Sequence, residues 1–594
     1  MKIIMKKQRS AGAEMDPIRH SLAHLLAAAV LEKYPKAKLG IGPTIENGFY
    51  YDFLFPRPVT TEDLAGLEKR MRELARQDLP FRGKKVTPAE ARKAFKDQPF
   101  KLDLIKEFVK EKKGLSIYRT GDVFQDLCRG GHVKSTREIN PDAFKLTHLA
   151  GAYWRGDEKN PQLTRVYGLA FATKDELQKH LHMLEEAKRR DHRKLGADLD
   201  IFFFRDEVGP GLPLWTDKGA TIRRELERFI VDEEVRRGYQ HVYTPDLARV
   251  RLYEISGHYP YYKDTMYPVM QVDEDKLVLR PMTCPHHFMI FSQKPRSYKE
   301  LPMPIAEVAK LYRYEKSGEL TGLLRVRSFC LADSHIFCTK EQAAGVIRDV
   351  IDLIDYSVGV LGFRKGEDYW YRLSLGDPKN KKKYYNDPAG WREGEATLRK
   401  VLKSIQAPFY EAKDEAAFYG PKIDIQMKNV LGKEDTVFTV QYDFCLPARF
   451  GLKYVNAKGK EEQPVVVHRS SVGALERTIA FLIEKFAGAL PLWLSPIQAA
   501  ILPVGDKFGK YAEKIVESMK KAGIRAELRV AEETLGKRIR AAEMEKTPYI
   551  LVVGEREEKS GTVNVRHYRR GQEGEIGLES LIEKISEEIR SKVI

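Results

Sequence analysis

Between Arg280 and Cys338 the chain crowds three kinds of chemistry into one stretch. Cys284, in RPMTCPHH, is a soft thiolate donor. Arg313 and Glu315 form an R-x-E pair, followed by Arg325, Arg327 and Phe329 in RVRSF, and Asp333 and His335 close the stretch. A guanidinium presents a rigid bidentate fork that suits a phosphate, which a lysine ammonium cannot match. Ser317, Gly318 and Gly322 separate the two arginine-bearing segments, so these read as two strands joined by a loop. The basic ends of such a hairpin can hold a nucleotide. Further on, HRSSVGALERTIAFL places His468, Glu476 and Arg477 at the start of an apolar-periodic helix.

A second cluster lies near the start. In DPIRHSLAHLLAAAVLEKYP, His20 and His24 are four apart and share a helix face. Asp16 reads as the N-cap of that helix and Pro17 as its first residue. Much later, DLCRGGHV offers Cys128 and His132. Two histidines with a Cys and a His make, on spacing, a zinc-type ligand set. Histidines packed under an Ala/Leu-rich helix are the plainer alternative.

The bulk numbers bound the setting. A chain of 594 residues makes roughly three or four domains. No apolar run reaches the ~18 residues of a spanning helix, and the basic N-terminus lacks the apolar core of a secretory signal, so no membrane role is expected. Five cysteines without framework spacing fit a reducing cytoplasm. A net charge of +17 favours a polyanionic partner.

Taken in order, GYQHVYTP (Gly238 to Pro245) behind an amphipathic helix near Thr221 to Arg237, the R-x-E…RVRSF hairpin and GALER resemble the three signature motifs of the class II aminoacyl-tRNA synthetases. Within that class the chain resembles the threonyl-tRNA synthetase family, from about Ile18 to the end. The resemblance implies a multidomain α/β and α+β fold. Residues 1–16 would be a disordered leader, 17–172 an α+β editing domain, 173–197 a linker helix, 198–490 an antiparallel-sheet class II catalytic core, and 495–594 an α/β anticodon-binding domain. Bacterial relatives usually carry a further small β-rich domain ahead of this region, which this chain is too short at its N-terminus to hold. The first motif implies a homodimer.

The activity so implied is ATP-dependent activation of L-threonine and its transfer to tRNA(Thr), with hydrolytic editing of seryl-tRNA(Thr). Cys284, His335 and His468 match the family's three ligands for one Zn2+ per chain. Three protein ligands leave a fourth position open, the mark of a working site. Zinc contacting the amino and hydroxyl groups of threonine would reject valine, which an apolar pocket separates by only ~10²-fold. Met282, Asp333 and Tyr419 match amino-acid-binding positions. Arg313, Glu315, Arg325, Phe329, Gln441 and Arg477 match ATP-binding positions, with Mg2+ bridging the phosphates. Arg313, Lys422, His258 and Arg477 are the implied catalytic set.

Serine keeps threonine's zinc-binding groups and lacks only a methyl, so a clearing site is needed. His20, His24, Lys101, Asp126, Cys128 and His132 match the family's editing pocket, which works with positioned water and no metal, and Tyr153 is expected to line it. Glu557 and Arg566 match anticodon-reading positions. Two departures stand out. The family's usual glutamine is Leu331 here, followed by Ala332, and RVAEETLG is longer than usual and lacks an expected asparagine. Leu331 and Ala332 are the only support for the rival reading, a catalytically impaired paralogue acting as an RNA-binding regulator.

Overall fold

The computed structural model describes the backbone of residues 2–377 and 379–594, with side chains from Glu14 onward. It contains two compact units, one ending at Glu185 and one running from Glu186 to Ile594. Among the described residues no helix is long and apolar enough to cross a membrane.

In the first unit, a long helix, Lys2–Lys33, buries Leu22, Leu25, Leu26 and Val30. It packs against an antiparallel sheet built on Gly48–Leu54, Gln162–Ala170 and Phe144–Tyr153. A smaller sheet joins Phe81–Val86, Leu115–Thr120 and Phe124–Leu127. Two expectations are corrected here. Residues 2–16 are the first turns of the helix, not a disordered leader, and Pro17 lies inside it, so Asp16 is not its cap. The run of Ile, Met, Lys, Gln, Arg and Ala before Asp16 favours helix, which offsets the one bond a proline removes. The expected single linker helix is two, Lys174–Arg190 and His192–Asp198. The break is at Asp191, whose carboxylate accepts from the Arg193 N–H at 2.8 Å and caps the second helix.

The second unit is organised by an eight-stranded sheet. In chain order its strands are β1 Gln240–His241, β2 Met303–Tyr312, β3 Ser328–Cys338, β4 Tyr369–Leu375, β5 Phe409–Lys413, β6 Lys422–Lys428, β7 Glu434–Asp443 and β8 Val465–Ala474. Their spatial order is β1-β2-β3-β8-β7-β6-β4-β5, antiparallel except for the two outer pairs. Side chains alternate between faces. Cys330, Ala332, Ile336 and Cys338 of β3, Val465 and Val467 of β8, Val440 and Tyr442 of β7, and Ile423 and Ile425 of β6 join one apolar core with helices Lys340–Val360 and Leu475–Phe486. The intervening residues, Asp333, His335, His468, Gln441 and Lys422 among them, face the other way and line a cavity.

One buried ion pair ties this sheet to helix Asp217–Arg236. Arg469 of β8 and Glu234 of the helix are 2.7 Å apart, both essentially without solvent exposure. The Ser471 hydroxyl also donates to Glu234, and Arg469 lies over the Tyr239 ring. Burial raises the carboxyl, but the Arg469 charge and these hydrogen bonds win and hold Glu234 below its usual range.

Chain end to end, the C-terminal region forms a five-stranded sheet ordered Ala526–Leu528, Ala499–Pro503, Tyr549–Val553, Thr562–His567, Gly571–Gly577. The first three strands run parallel. Ala499 and Ile501 pack toward helices Gly509–Lys521 and Leu578–Ser591, while Ala500 and Leu502 meet Leu535–Met544 on the opposite face. Replacing Glu234 with Ala leaves Arg469 buried without its counter-charge. We expect a loss of about 3–5 kcal/mol in urea unfolding, and a loss under ~1 kcal/mol would show that the pair is not what anchors the helix.

Candidate active site and editing pocket

The register of the large sheet assembles the first site. His335 of β3 lies opposite His468 of β8, which lies opposite Gln441 of β7, which lies opposite Lys422 of β6. Because all four share a pleat, they point into one cavity of about 570 Å³. Cys284 reaches it from the start of helix Cys284–Phe291. The ligand atoms of Cys284, His335 and His468 lie within 4.8 Å of one another, all buried. Thiolate and imidazole donors at that spacing suit a tetrahedral soft cation. Without one, burial and the nearby Asp333 and Asp443 carboxylates push the Cys284 thiol well up.

The partners of the two histidines are explicit. His468 Nε2 is 2.8 Å from Asp443 Oδ2. His335 Nδ1 is 2.8 Å from His287 Nδ1, and His287 Nε2 is 3.3 Å from Glu307. Burial raises the Glu307 carboxyl, but hydrogen bonds with His287 and Thr244 and the charge of Arg280 bring it down to about 2. Asp333 is buried, which raises its carboxyl, and accepts from the Thr283 hydroxyl. The Tyr419 ring stacks on His468 and its hydroxyl donates to Gln441. Lys422 is held by Asp424 at 2.9 Å. Met282 lines the same cavity.

Arg313 is half-buried, with its guanidinium 5.1 Å from the Phe329 ring centroid. Arg477 donates to Leu324 O at 3.1 Å and Thr436 O at 2.9 Å, fastening the loop between β2 and β3 to β7. Arg325 pairs with Glu315 at 2.7 Å and Glu319 at 3.1 Å. All three arginines line the same cavity. His258 is buried, lines the cavity and bonds Ser256 Oγ at 2.8 Å. Burial and then the charges of His468 and Arg449 bring it down to about 3. Leu331 sits on the cavity wall beside Ala474 and Phe329, whereas Ala332 faces the core, so the departure from the family pattern makes one wall apolar.

In the first unit, His20, His24, Cys128 and His132 bring their ligand atoms within 4.8 Å of one another. Cys128 Sγ lies 3.4 Å from His20 Nε2 and 3.2 Å from His132 Nε2. Behind them, buried Lys101 pairs with Asp126 at 2.6 Å, and the Tyr51 hydroxyl donates to Asp126. A cavity of about 600 Å³ opens on this group. Tyr153 is not part of its wall; it ends an outer strand and is 45% exposed. Burial dominates the electrostatics: it lowers His20 and His24, and with the other two histidines it lowers His132 to about 2. Burial also pushes the Cys128 thiol up to about 11, so it is a neutral thiol at physiological pH.

Three sequence models match: the class II core domain of tRNA synthetases (G, H, P, S and T) over residues 267–486, an anticodon binding domain over 498–588, and the threonyl and alanyl tRNA synthetase second additional domain over 115–167. The threonine–tRNA ligase of Anoxybacillus flavithermus is 48% identical over 579 residues, covering 97% of this chain and 89% of that one. The chain belongs to the threonine–tRNA ligase family. Threonine–tRNA ligase 1 of Bacillus subtilis is 48% identical over 570 residues, covering 96% and 88%. A crystal structure of the RNA binding domain of threonyl-tRNA synthetase from Cryptosporidium parvum superposes with a TM-score of 0.63 at 35% identity, over 67% of this chain and 98% of that one.

The C-terminal region of this threonine–tRNA ligase family member places Glu557 at the start of helix Glu555–Ser560, where its carboxylate accepts from Gly554 N–H. Arg566 lies on the strand Thr562–His567, half exposed and paired with Glu543 at 2.6 Å. The RVAEETLG loop is organised by buried Arg538, which donates to the carbonyls of Pro503, Arg529 and Glu533. Sequence reasoning did not single out Arg538, His287, Glu307 or Asp443. The adjacent histidines of CPHH were the one available signal.

His192 is a further residue missed. Its Nδ1 is 2.7 Å from Glu484, and its Nε2 accepts the Leu323 N–H at 3.1 Å, pinning the arginine-bearing loop. His192→Ala should raise the KM for ATP roughly tenfold, about 1–2 kcal/mol, with a smaller effect on kcat; an unchanged KM would mean the loop does not depend on this tether. The depressed histidines of the editing pocket set a pH window. Their folded pKa values lie below the ordinary ~6.5, so the unfolded chain takes up protons first and stability falls as pH drops below that value. The melting temperature of the first unit should therefore fall between about pH 6.5 and 5, before ordinary carboxylates titrate, and less steeply in His132→Gln. A flat profile there would contradict neutral burial.

Proposed function

We propose that the chain activates L-threonine with ATP, transfers it to tRNA(Thr), and hydrolyses seryl-tRNA(Thr) formed in error. The observation that carries this reading is the convergence of Cys284, His335 and His468 with Asp333 and Arg313 on one cavity, in a member of the threonine–tRNA ligase family. In the first step the threonine carboxylate attacks the α-phosphorus of ATP, and the bond to pyrophosphate breaks. Arg313 stabilises charge developing on the α-phosphate, where a preorganised donor is worth most. Arg325 and Arg477 hold the outer phosphates, Phe329 carries the adenine, and Glu315 orients it. Mg2+ bound with ATP would add charge neutralisation at the phosphates that Arg325 and Arg477 hold. Tyr419, Met282 and Gln441 wall the amino acid, Lys422 approaches the adenylate, and Asp333 accepts the threonine hydroxyl.

Cys284, His335 and His468 would hold Zn2+, which when bound supplies a Lewis-acid contact to the substrate's amino and hydroxyl groups. In the second step the tRNA's terminal ribose hydroxyl attacks the adenylate carbonyl and AMP leaves, with neutral His258 positioned to accept the proton. At the editing pocket, water attacks the seryl ester and the ribose oxygen departs. The neutral thiol of Cys128 and the neutral imidazoles favour a positioned water over a thiolate nucleophile. Glu557 and Arg566 contact the anticodon.

The chain acts as a homodimer in the cytoplasm. Tyr243, 95% exposed, and Val235, 56% exposed, lie on or beside the first-motif helix and offer apolar surface to a second copy. The charge of +17 fits the tRNA partner.

Threonine-dependent ATP–pyrophosphate exchange, with zinc content measured on the same sample, tests the activity. We expect exchange with threonine, leakage with serine and silence with valine. No exchange in folded, zinc-loaded protein would favour an RNA-binding regulator. His24→Ala with Cys128→Ala should leave exchange unchanged while seryl-tRNA(Thr) accumulates by about 10-fold or more; no accumulation would remove the editing assignment.

A further inference from the structure

The Cys284, His335 and His468 cluster has a third histidine behind it that does not itself line the cavity. His287 is fully buried on helix Cys284–Phe291, edge-on to His335 with ring centroids 4.8 Å apart. Its own far nitrogen meets Glu307, which lies on β2 opposite Asp333 of β3. Glu307 is itself clamped by Arg280 at 3.1 Å and by the Thr244 hydroxyl at 2.7 Å.

With His287 as a neutral imidazole, the donors and acceptors along this series of hydrogen bonds fix one assignment. A carboxylate only accepts, so His287 Nε2 carries a hydrogen and donates to Glu307. In a neutral imidazole the other nitrogen is then an acceptor. His287 Nδ1 therefore accepts from His335 Nδ1–H across their 2.8 Å contact. This leaves His335 Nε2 with a free lone pair, and that atom is the one nearer Asp333, at 3.9 Å. The same logic runs through the other histidine, where Asp443 takes the Nε2–H of His468 and frees Nδ1.

We propose that His287 is a positioning residue that relays the Glu307 carboxylate to His335, fixing the tautomer and ring orientation that present His335 Nε2 to a metal ion. The inference rests on reading the cluster as a metal centre. It differs from a direct carboxylate partner, such as Asp443 on His468, in that a neutral imidazole stands between charge and ligand. The two ligands are thereby made unequal: His468 is hydrogen-bonded by a full negative charge, and His335 by one relayed through a ring. Partners of this kind orient ligands and raise their basicity, and their removal typically weakens metal binding by 10–100-fold.

The test uses the full chain, as parent, His287→Leu and His287→Gln. Leucine can make neither hydrogen bond, whereas a glutamine carboxamide can accept from His335 and donate to Glu307. Zinc affinity is read by chelator competition, and the ligand field by the visible spectrum of the Co2+-loaded protein. We expect His287→Leu to bind zinc about 10–100-fold more weakly with an altered Co2+ spectrum, and His287→Gln to recover most of both. Equal melting temperatures of the metal-free proteins separate positioning from a general loss of structure. Parental zinc affinity and spectrum in His287→Leu would overturn the proposal.

Histidine-selective 15N NMR of the metal-free parent decides the same point without depending on how the leucine variant folds. His287 should carry its hydrogen on Nε2 and His335 on Nδ1, the His287 signal being identified by its loss in His287→Gln. The opposite tautomers would overturn the relay. A parent that binds no zinc while showing the expected tautomers would instead remove the metal-centre reading and leave the relay standing.

Discussion

The larger unit depends on the two-residue pleat of its central sheet. One face of β3, β6, β7 and β8 carries Ile, Val, Cys and Tyr into a core capped by helices. The other face carries acids, imidazoles, an amide and a lysine into a cavity. A slip of one residue in β3 or β8 would send His335 or His468 into the core and valine or isoleucine into the cavity. The apolar requirement of the core face therefore fixes the chemistry of the opposite one. Hydrophobic burial does not choose which polar residues stand there, but it does hold each at a defined height along its strand.

The two candidate sites solve the burial of polar groups in different ways. Around the large sheet, charges are buried in compensated pairs and chains: Glu234 with Arg469, Asp424 with Lys422 and Arg372, and Glu307 with Arg280. Each satisfies lone pairs that would otherwise cost several kcal/mol. Arg313 is the exception: half-buried, it makes no ion pair among the described residues, and that imbalance suits an incoming phosphate. The pocket proposed for editing instead keeps its imidazoles and thiol neutral. Its histidines and thiol all have their charged forms disfavoured by burial, and the ion pair of Lys101 with Asp126 stands behind them.

This contrast fits the two tasks. Activation handles phosphates and a carboxylate, so it needs fixed charge aimed at developing charge. Hydrolysis of an ester by a held water needs hydrogen-bonding groups that do not themselves become nucleophiles. A thiol kept protonated meets that condition, and under the proposed reading a zinc ion selecting for amino and hydroxyl groups would leave serine as the substrate for the second pocket to clear.

Much of this was legible in the residues alone. Apolar periodicity announced the helix behind GYQHVYTP, and the R-x-E…RVRSF spacing announced a loop between two strands, because local periodicity is written locally. The H-x-x-x-H pair of His20 and His24 likewise fixes a shared helix face. What spacing could not do was join Cys284, His335 and His468, since nothing in a linear chain states strand register; the resemblance to a family suggested the set, and the pairing of His335 with His468 across β3 and β8 places them together. The start of the first helix was missed because a proline after an acidic residue reads as a boundary, while the helix continues through it. Composition and local pattern determined which elements form and which chemistries are present. Only the tertiary structure decided the burial that keeps Cys128 and His258 neutral and the partners, His287, Glu307 and Asp443, that hydrogen-bond the His335–His468 pair, because desolvation and hydrogen-bond direction are set by groups distant in sequence.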